Sequence, residues 1–445
     1  MSVRSMKLPR KPLRRVEAGF GMSDAGTEPN KLTGRRLVPF LAGYALGNTG
    51  DMFTQVAVLW TGLSLSGRAI SLAGLGGAWT LASAVMGLAS GPIVDRFNRR
   101  NAIIWMHGCL ALLSLGLFAL AQTGHIRMWH LWAYLVGQSA FGVPLDFAVD
   151  SILPDLVSKG RLVRVNGLLQ SWGMTDNLVE AAVSGIVLAV WGPAPIFLFN
   201  GIMYLFGSAG ALFVPEAAGV AGDKTKPDRW RPLADLRITI RYIIRERLLR
   251  RYIPLRQADG LIFAPLFFMA PLVSSTLGWG SQGYGFFQSL TIGGVLTGSL
   301  LASSVGSGWP KVKMWIGGQM LYACGFLTLG IFLHVAHPTH PILPALAYGA
   351  FFVFGFGCTG GRVYQSSLYQ EILPPEHRGR VFGIGGFVGG ALQPLTLSLA
   401  MLLVDRSGVG IVLVGLAVIL LALNVTKVLL LPLREQDWLL SRPHE

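Results

Sequence analysis

Charge is scarce in this chain. Asp, Glu, Lys and Arg make up 13% of its 445 residues, about half of what a water-soluble domain carries to hydrate its surface. That shortage excludes an ordinary soluble globule, and a 52% hydrophobic share excludes a disordered chain. Cysteine is scarcer still: Cys109, Cys324 and Cys358 are the full complement. A disulfide-stapled secreted domain is therefore excluded, and all three are expected as buried free thiols. There is no G-x-x-x-x-G-K-[ST] loop for ATP. Nor is there a nucleophile–base spacing that points to an enzyme. No cofactor is expected. The 57 glycines lack a collagen period and suit the close packing of membrane helices.

Long apolar runs are what the chain has in abundance. A helix needs about 20 mainly apolar residues to cross a bilayer. Such runs cover 37–63, 70–94, 102–122, 129–150, 165–190 and 194–214, then 252–274, 283–304, 311–333, 341–366, 380–403 and 408–431. They are too long and too uniform for strands. The expectation is an all-α membrane protein of twelve transmembrane helices in two six-helix bundles, 37–214 and 252–431. A basic cytoplasmic tail (1–36), a linker (215–251) and a short cytoplasmic tail (432–445) complete it.

The net charge of +15 is distributed unevenly. With the N-terminus inside, cytoplasmic segments hold 31 of the 37 Lys and Arg, and outer loops hold Arg68, Arg127 and Arg406. So steep a bias places both termini in the cytoplasm. Basic tails and loops would meet anionic lipids there, and no nucleic-acid partner is required. The opening run Lys7–Arg15 has no apolar h-region directly after it and is not a cleavable signal. Within the linker, Asp235–Arg251 sets Arg237, Arg241 and Arg245 four apart among Leu and Ile, the pattern of a basic amphipathic helix lying at the headgroups.

The two halves echo each other. Ile152-Leu153-Pro154 precedes Lys159-Gly160-Arg161, and 220 residues later Ile372-Leu373-Pro374 precedes Arg378-Gly379-Arg380. A repeated six-helix unit is a transporter signature. Between the second and third runs stands Gly91-Pro-Ile-Val-Asp95-Arg96-Phe-Asn-Arg99-Arg100. This resembles, position for position, the G-x-x-x-D-R-x-x-R-R signature of the major facilitator superfamily. Three further stretches are Gly47–Asp51, Leu153–Val157 with Arg164–Leu169, and Pro374–Gly383. Together they resemble the branch of macrolide-efflux and enterobactin-type siderophore exporters.

The resemblance implies the major facilitator fold in a bacterial inner membrane and a cytoplasmic latch built on Gly91, Asp95, Arg96, Arg99 and Arg100. It sets Asp95 near Gly379–Phe382. Departures are also plain. The fourth run has no Arg, Glu180–Gly185 stands where drug antiporters often carry G-P-x-x-G-G, and Gly306–Lys311 lacks the second Asp-Arg pair. These weaken the case for standard proton-coupled drug antiport.

An ionisable group in the hydrocarbon zone costs about 2.5–3.5 kcal/mol on insertion scales, so each one needs a reason. Asp51 and Glu180 lie deep in the first and fifth runs. Both are candidates for proton coupling at the central cavity, with a backbone-bonding structural role as the alternative for Asp51. Asp259 joins them, although a local ion pair with Arg256 explains it equally well. Asp146 and Asp150, four apart near the inner surface, are expected as gate partners of Arg96 or Arg362. Arg378 and Arg380 belong to the same gate.

Tyr44, Phe53 and Trp172, with Trp60 and Trp79, are candidate aromatic walls for a bulky ligand. His334, His337 and His340 gather in one loop, but Pro338 and Pro341 interrupt it and no acid or thiol is near, so no metal site is expected. The expected function is export of a hydrophobic or amphipathic small molecule by alternating access, coupled to protons, from a monomer. The alternatives are a dedicated siderophore or metabolite exporter, an importer or lysophospholipid flippase, and a non-transporting sensor.

Overall fold

The computed structural model describes residues 34–94, 96–157, 159–216, 245–305, 310–335, 340–372 and 375–431. Residues 217–244 of the linker, and with them most of the expected amphipathic helix, lie outside the described residues, as do Asp95 and His337. Among the described residues the secondary structure is helical, without strands. The first half of the chain supplies α1 (Gly34–Asn48), α2 (Asp51–Ser66), α3 (Ile70–Val94), α4 (Arg99–Gln122), α5 (Met128–Leu156), α6 (Lys159–Trp191) and α7 (Ala194–Ala211). The second half supplies α8 (Arg247–Phe267), α9 (Met269–Thr276), α10 (Gly280–Val305), α11 (Lys311–Val335), α12 (Leu343–Ile372), α13 (Pro375–Ser407) and α14 (Val409–Leu430).

Nine helical stretches among the described residues are long and apolar enough to cross a membrane. Their outer faces are apolar too: Trp105 is 74% and Leu429 77% exposed. Large side chains left outward in this number are matched by a lipid environment, so the chain is a multi-pass membrane protein. Cys324 belongs to that exposed surface, contrary to the burial expected of it, while Cys109 is half-buried and Cys358 buried. The three thiols are free.

Two of the expected continuous spans are broken. The run 37–63 divides into α1 and α2 at Thr49–Gly50, where Gly50 has φ +104°. A side chain there would clash with the following carbonyl, and glycine has none. The run 252–274 divides at Phe268, just ahead of Pro271 in the first turn of α9. Proline lacks the N–H that would continue the helix ladder and is tolerated in a first turn.

The two halves meet through α3 against α13 and α6 against α10. The second contact is backbone-close: a Cβ on Gly185 would stand 2.5 Å from the Ser281 carbonyl, and one on Gly285 2.7 Å from that of Ala181. The largest apolar core is common to both halves and runs from Val56–Leu75 through Leu266–Leu277 to Leu397–Val404. Two smaller cores stay within one half each, around Ile103, Leu145 and Leu153, and around Leu255, Trp315 and Leu368. The shared core lies toward the Arg68 and Asp405 end.

Candidate functional site

The break between α1 and α2 draws the first cluster of buried acids together. A helix start leaves backbone N–H groups without partners, and Gly50 at the cap position has no side chain to offer one. Glu180, from α6, fills that place. Its Oε1 accepts from the Gly50 N–H, and its Oε2 accepts from Met52 N at 3.1 Å and Phe53 N at 3.3 Å. A carboxylate there also suits the positive end of the helix dipole.

Asp51, the first residue of α2, accepts a hydrogen bond from the Tyr204 hydroxyl. Beneath it lies fully buried Asn200, whose Nδ2 donates to Thr54 Oγ1 at 2.8 Å and to the Tyr134 hydroxyl at 3.3 Å. Among the described residues no cation lies within ion-pair distance of Asp51 or Glu180. The sequence placed both acids at depth, and the structure brings them to the same helix start.

Asp259 has a different setting. Its Oδ1 lies 2.6 Å from Lys427 Nζ, and its Oδ2 accepts from Trp315 Nε1 at 2.9 Å and Gln365 Nε2 at 3.4 Å. Lys427 is 0% exposed, donates also to Gln319 and to Asn424 Oδ1 at 3.2 Å, and stands 4.6 Å over the Trp315 ring. The expected local partner Arg256 is not the one used. A residue one turn away on the same helix is displaced by one 168 positions later on α14. Lys427 carried a signal in the sequence as the lone cation deep in the most apolar span, and spacing alone does not pair it.

Among the described residues, two cavities lined from both halves lie beside the buried acids. The larger, about 730 Å³, is walled by Trp79 and Ser83 of α3, by Asp259 and Phe263 of α8, and by Tyr322 and Arg362 farther on. The smaller, about 280 Å³, holds Asp51 and Gln138. Trp79 and Phe268 line both.

Tyr44, Phe53 and Trp172 line neither, contrary to expectation. Tyr44 donates to Asp146 at 3.2 Å, the Phe53 ring lies 5.6 Å from that of Phe199, and Trp172 donates to Thr49 Oγ1 at 3.3 Å. Trp60 lies against Tyr284, with ring centroids 6.3 Å apart. In helices apolar all round, the hydropathy pattern carries no phase to say which aromatic faces a cavity.

Within the latch segment, Arg99 bonds inside its own half and Arg100 bonds to the start of the linker. Gly91 lies in the last turns of α3, and Arg96 is exposed. Buried Arg99 donates to Asp155 at 3.0 Å and to the Ser151 carbonyl at 3.1 Å, and Arg100 donates to Glu216 at 3.2 Å. Asn98 caps α4 by accepting from Asn101 N at 3.3 Å. The expected pairing of Asp146 or Asp150 with Arg96 or Arg362 is absent from this arrangement. Tyr44 takes Asp146, and Arg362 stands 5.4 Å over the Phe263 ring. The side chains of Arg378 and Arg380, in the first turns of α13, lie outside the described set.

At the opposite end a contact unforeseen in the sequence joins the halves. Asp405 of α13 accepts from Ala69 N at 2.7 Å and Ile70 N at 3.0 Å, capping α3 from the other half.

The sequence profile of the Major Facilitator Superfamily matches residues 39–396. The chain belongs to this superfamily. Macrolide efflux protein A of Streptococcus pyogenes is 25% identical over 393 residues, covering 83% of this chain and 89% of that protein. Multidrug efflux pump Tap of Mycolicibacterium fortuitum is 26% identical, covering 93% of this chain and 100% of the pump. Among solved structures, the nucleoside transporter NupG superposes with a TM-score of 0.68 at 12% identity, over 90% of this chain and 98% of its own. A bacterial homologue of the iron transporter ferroportin gives 0.62 at 14% identity, over 88% and 98%. At those identities the structures share the fold alone. This facilitator is accordingly a transporter of a small-molecule substrate.

Proposed function

We propose that this facilitator exports a hydrophobic or amphipathic small molecule in exchange for protons, by rocking residues 37–214 against 252–431 as two six-helix bundles. The observation that carries the reading is the pair Asp51 and Glu180 at the broken first span. Asp51 borders a cavity between the halves, and among the described residues neither acid has a cation to neutralise it. A buried carboxylate in that position changes charge by taking or losing a proton, and Glu180 would thereby weaken or strengthen its hold on the start of α2.

The bias of Lys and Arg supports both termini being cytoplasmic, with the basic loops against anionic lipid, and the bacterial relatives support a bacterial inner membrane. In that orientation the shared core and the Asp405 cap join the halves on the outer side. A monomer suffices for this cycle, since both walls of each cavity come from one chain. The efflux functions named for the two relatives support the outward direction.

The test is accumulation of erythromycin, tetracycline and 11-(dansylamino)undecanoate in cells with and without the protein. At least one probe is expected to accumulate several-fold less in expressing cells, and a protonophore is expected to erase the difference. Greater accumulation in expressing cells would establish import, and a difference that survives the protonophore would rule out proton coupling.

A further inference from the structure

We propose that the larger cavity recognises an amphipathic organic anion, a carboxylate or phosphate on an apolar body, with Arg362 as its anchor. This rests on the exporter reading and adds the charge of the cargo to it. Among the described residues of the cavity wall, three carry a formal charge at neutral pH: Arg256, Asp259 and Arg362.

Asp259 is compensated from behind. Lys427, which does not line the cavity, holds it at 2.6 Å, and two neutral N–H donors occupy its other oxygen. A cation entering from the cavity therefore meets an acid already neutralised. Arg256 has partners of its own and carries no part of the argument.

Arg362 is the charge left over. Among the described residues no carboxylate lies within ion-pair distance of it, and its one aromatic contact is the Phe263 face at 5.4 Å. A cation–π contact compensates a guanidinium only partly, and the Arg362 fork of donors is exposed, with the Cys358 thiol beside it. A carboxylate or phosphate matches that fork with two parallel hydrogen bonds.

The surrounding wall suits the rest of such a molecule. Phe263, Phe267 and Tyr322 from the second half and Trp79 from the first provide apolar and aromatic surface. The α3 side adds only hydroxyls from Thr80 and Ser83, with no charge to oppose an anion. The volume, about 730 Å³, falls within the range of small-molecule pockets. The acid of the first half, Asp51, lies in the smaller cavity beyond Trp79 and Phe268.

The experiment uses the full-length protein in nanodiscs and three probes on one undecyl chain: 11-(dansylamino)undecanoate, its primary amide, and the corresponding amine. Binding is read from dansyl fluorescence. The carboxylate is expected to bind about 10-fold or more tighter than the amide, the scale of a charge-assisted pair. Arg362→Gln is expected to abolish that preference while leaving amide affinity and the thermal transition unchanged, and Arg362→Lys to retain part of it.

Equal binding of carboxylate and amide, binding of none of the three, preference for the amine, or a carboxylate preference that survives Arg362→Gln would each overturn the proposal. Displacement of the bound carboxylate probe by lysophosphatidylglycerol but not by 2-naphthoate would assign the anion to a lipid. The reverse would assign it to a free organic acid. Equal binding beside protonophore-sensitive efflux removes the anion preference and leaves export standing. Selective binding without efflux removes export and leaves the anion site.

Discussion

Replacing Lys427 with methionine is expected to destabilise the protein by about 3–5 kcal/mol, the cost of leaving a buried charge without its partner. The stranded group is Asp259, which would keep the donors Trp315 Nε1 and Gln365 Nε2 but lose its counter-charge. Gln319 and Asn424 would lose the ammonium they bind as well. The double variant Lys427→Met with Asp259→Leu removes both charges and is expected to recover most of the loss, since an apolar pair of similar volume often replaces a buried ion pair at little cost. Thermal unfolding in detergent, followed by tryptophan fluorescence, measures both. A single variant as stable as wild type would show that the pair does not hold the second half together.

Glu180→Ala is expected to cost about 1–3 kcal/mol for each buried N–H left unsatisfied. The groups at stake are the buried N–H of Gly50 and the part-buried ones of Met52 and Phe53. Glu180→Gln keeps one carbonyl oxygen as acceptor and is expected to fold with a far smaller loss. The two variants separate the roles of this side chain. Hydrogen exchange at the start of α2 should rise sharply in the alanine variant and little in the glutamine variant. Proton-driven transport should fail in both. A glutamine variant that transports like wild type would leave Glu180 with a capping role only.

The architecture was legible where a single residue type or a short motif carried it. Apolar runs announced membrane helices, and Gly91–Arg100 announced the superfamily. Depth in the hydrocarbon zone singled out Asp51 and Glu180. Contacts between distant segments were not legible.

Glu180 reaches a backbone 130 positions away, and nothing local to either segment records that meeting. The same holds for Asp259 and Lys427, separated by 168 positions, where the sequence offered the nearer Arg256. The break at Gly50 was hidden because a glycine in a membrane helix more often marks close packing than positive φ. Which of the candidate aromatic residues walls a cavity was not legible because their helices are apolar on every face, so only tertiary packing chooses between Trp79 and Phe53.

Proteoliposomes give the most direct test of proton-coupled export through Asp51 and Glu180. The probe is the one that expressing cells expel most strongly, and an imposed pH gradient is the sole energy source. Wild-type vesicles are expected to move the probe against its concentration gradient. Asp51→Asn and Glu180→Gln vesicles, with protein of wild-type stability, are expected to lose gradient-driven accumulation at least tenfold while still exchanging probe across the membrane. Gradient-driven accumulation undiminished in both variants would contradict the account.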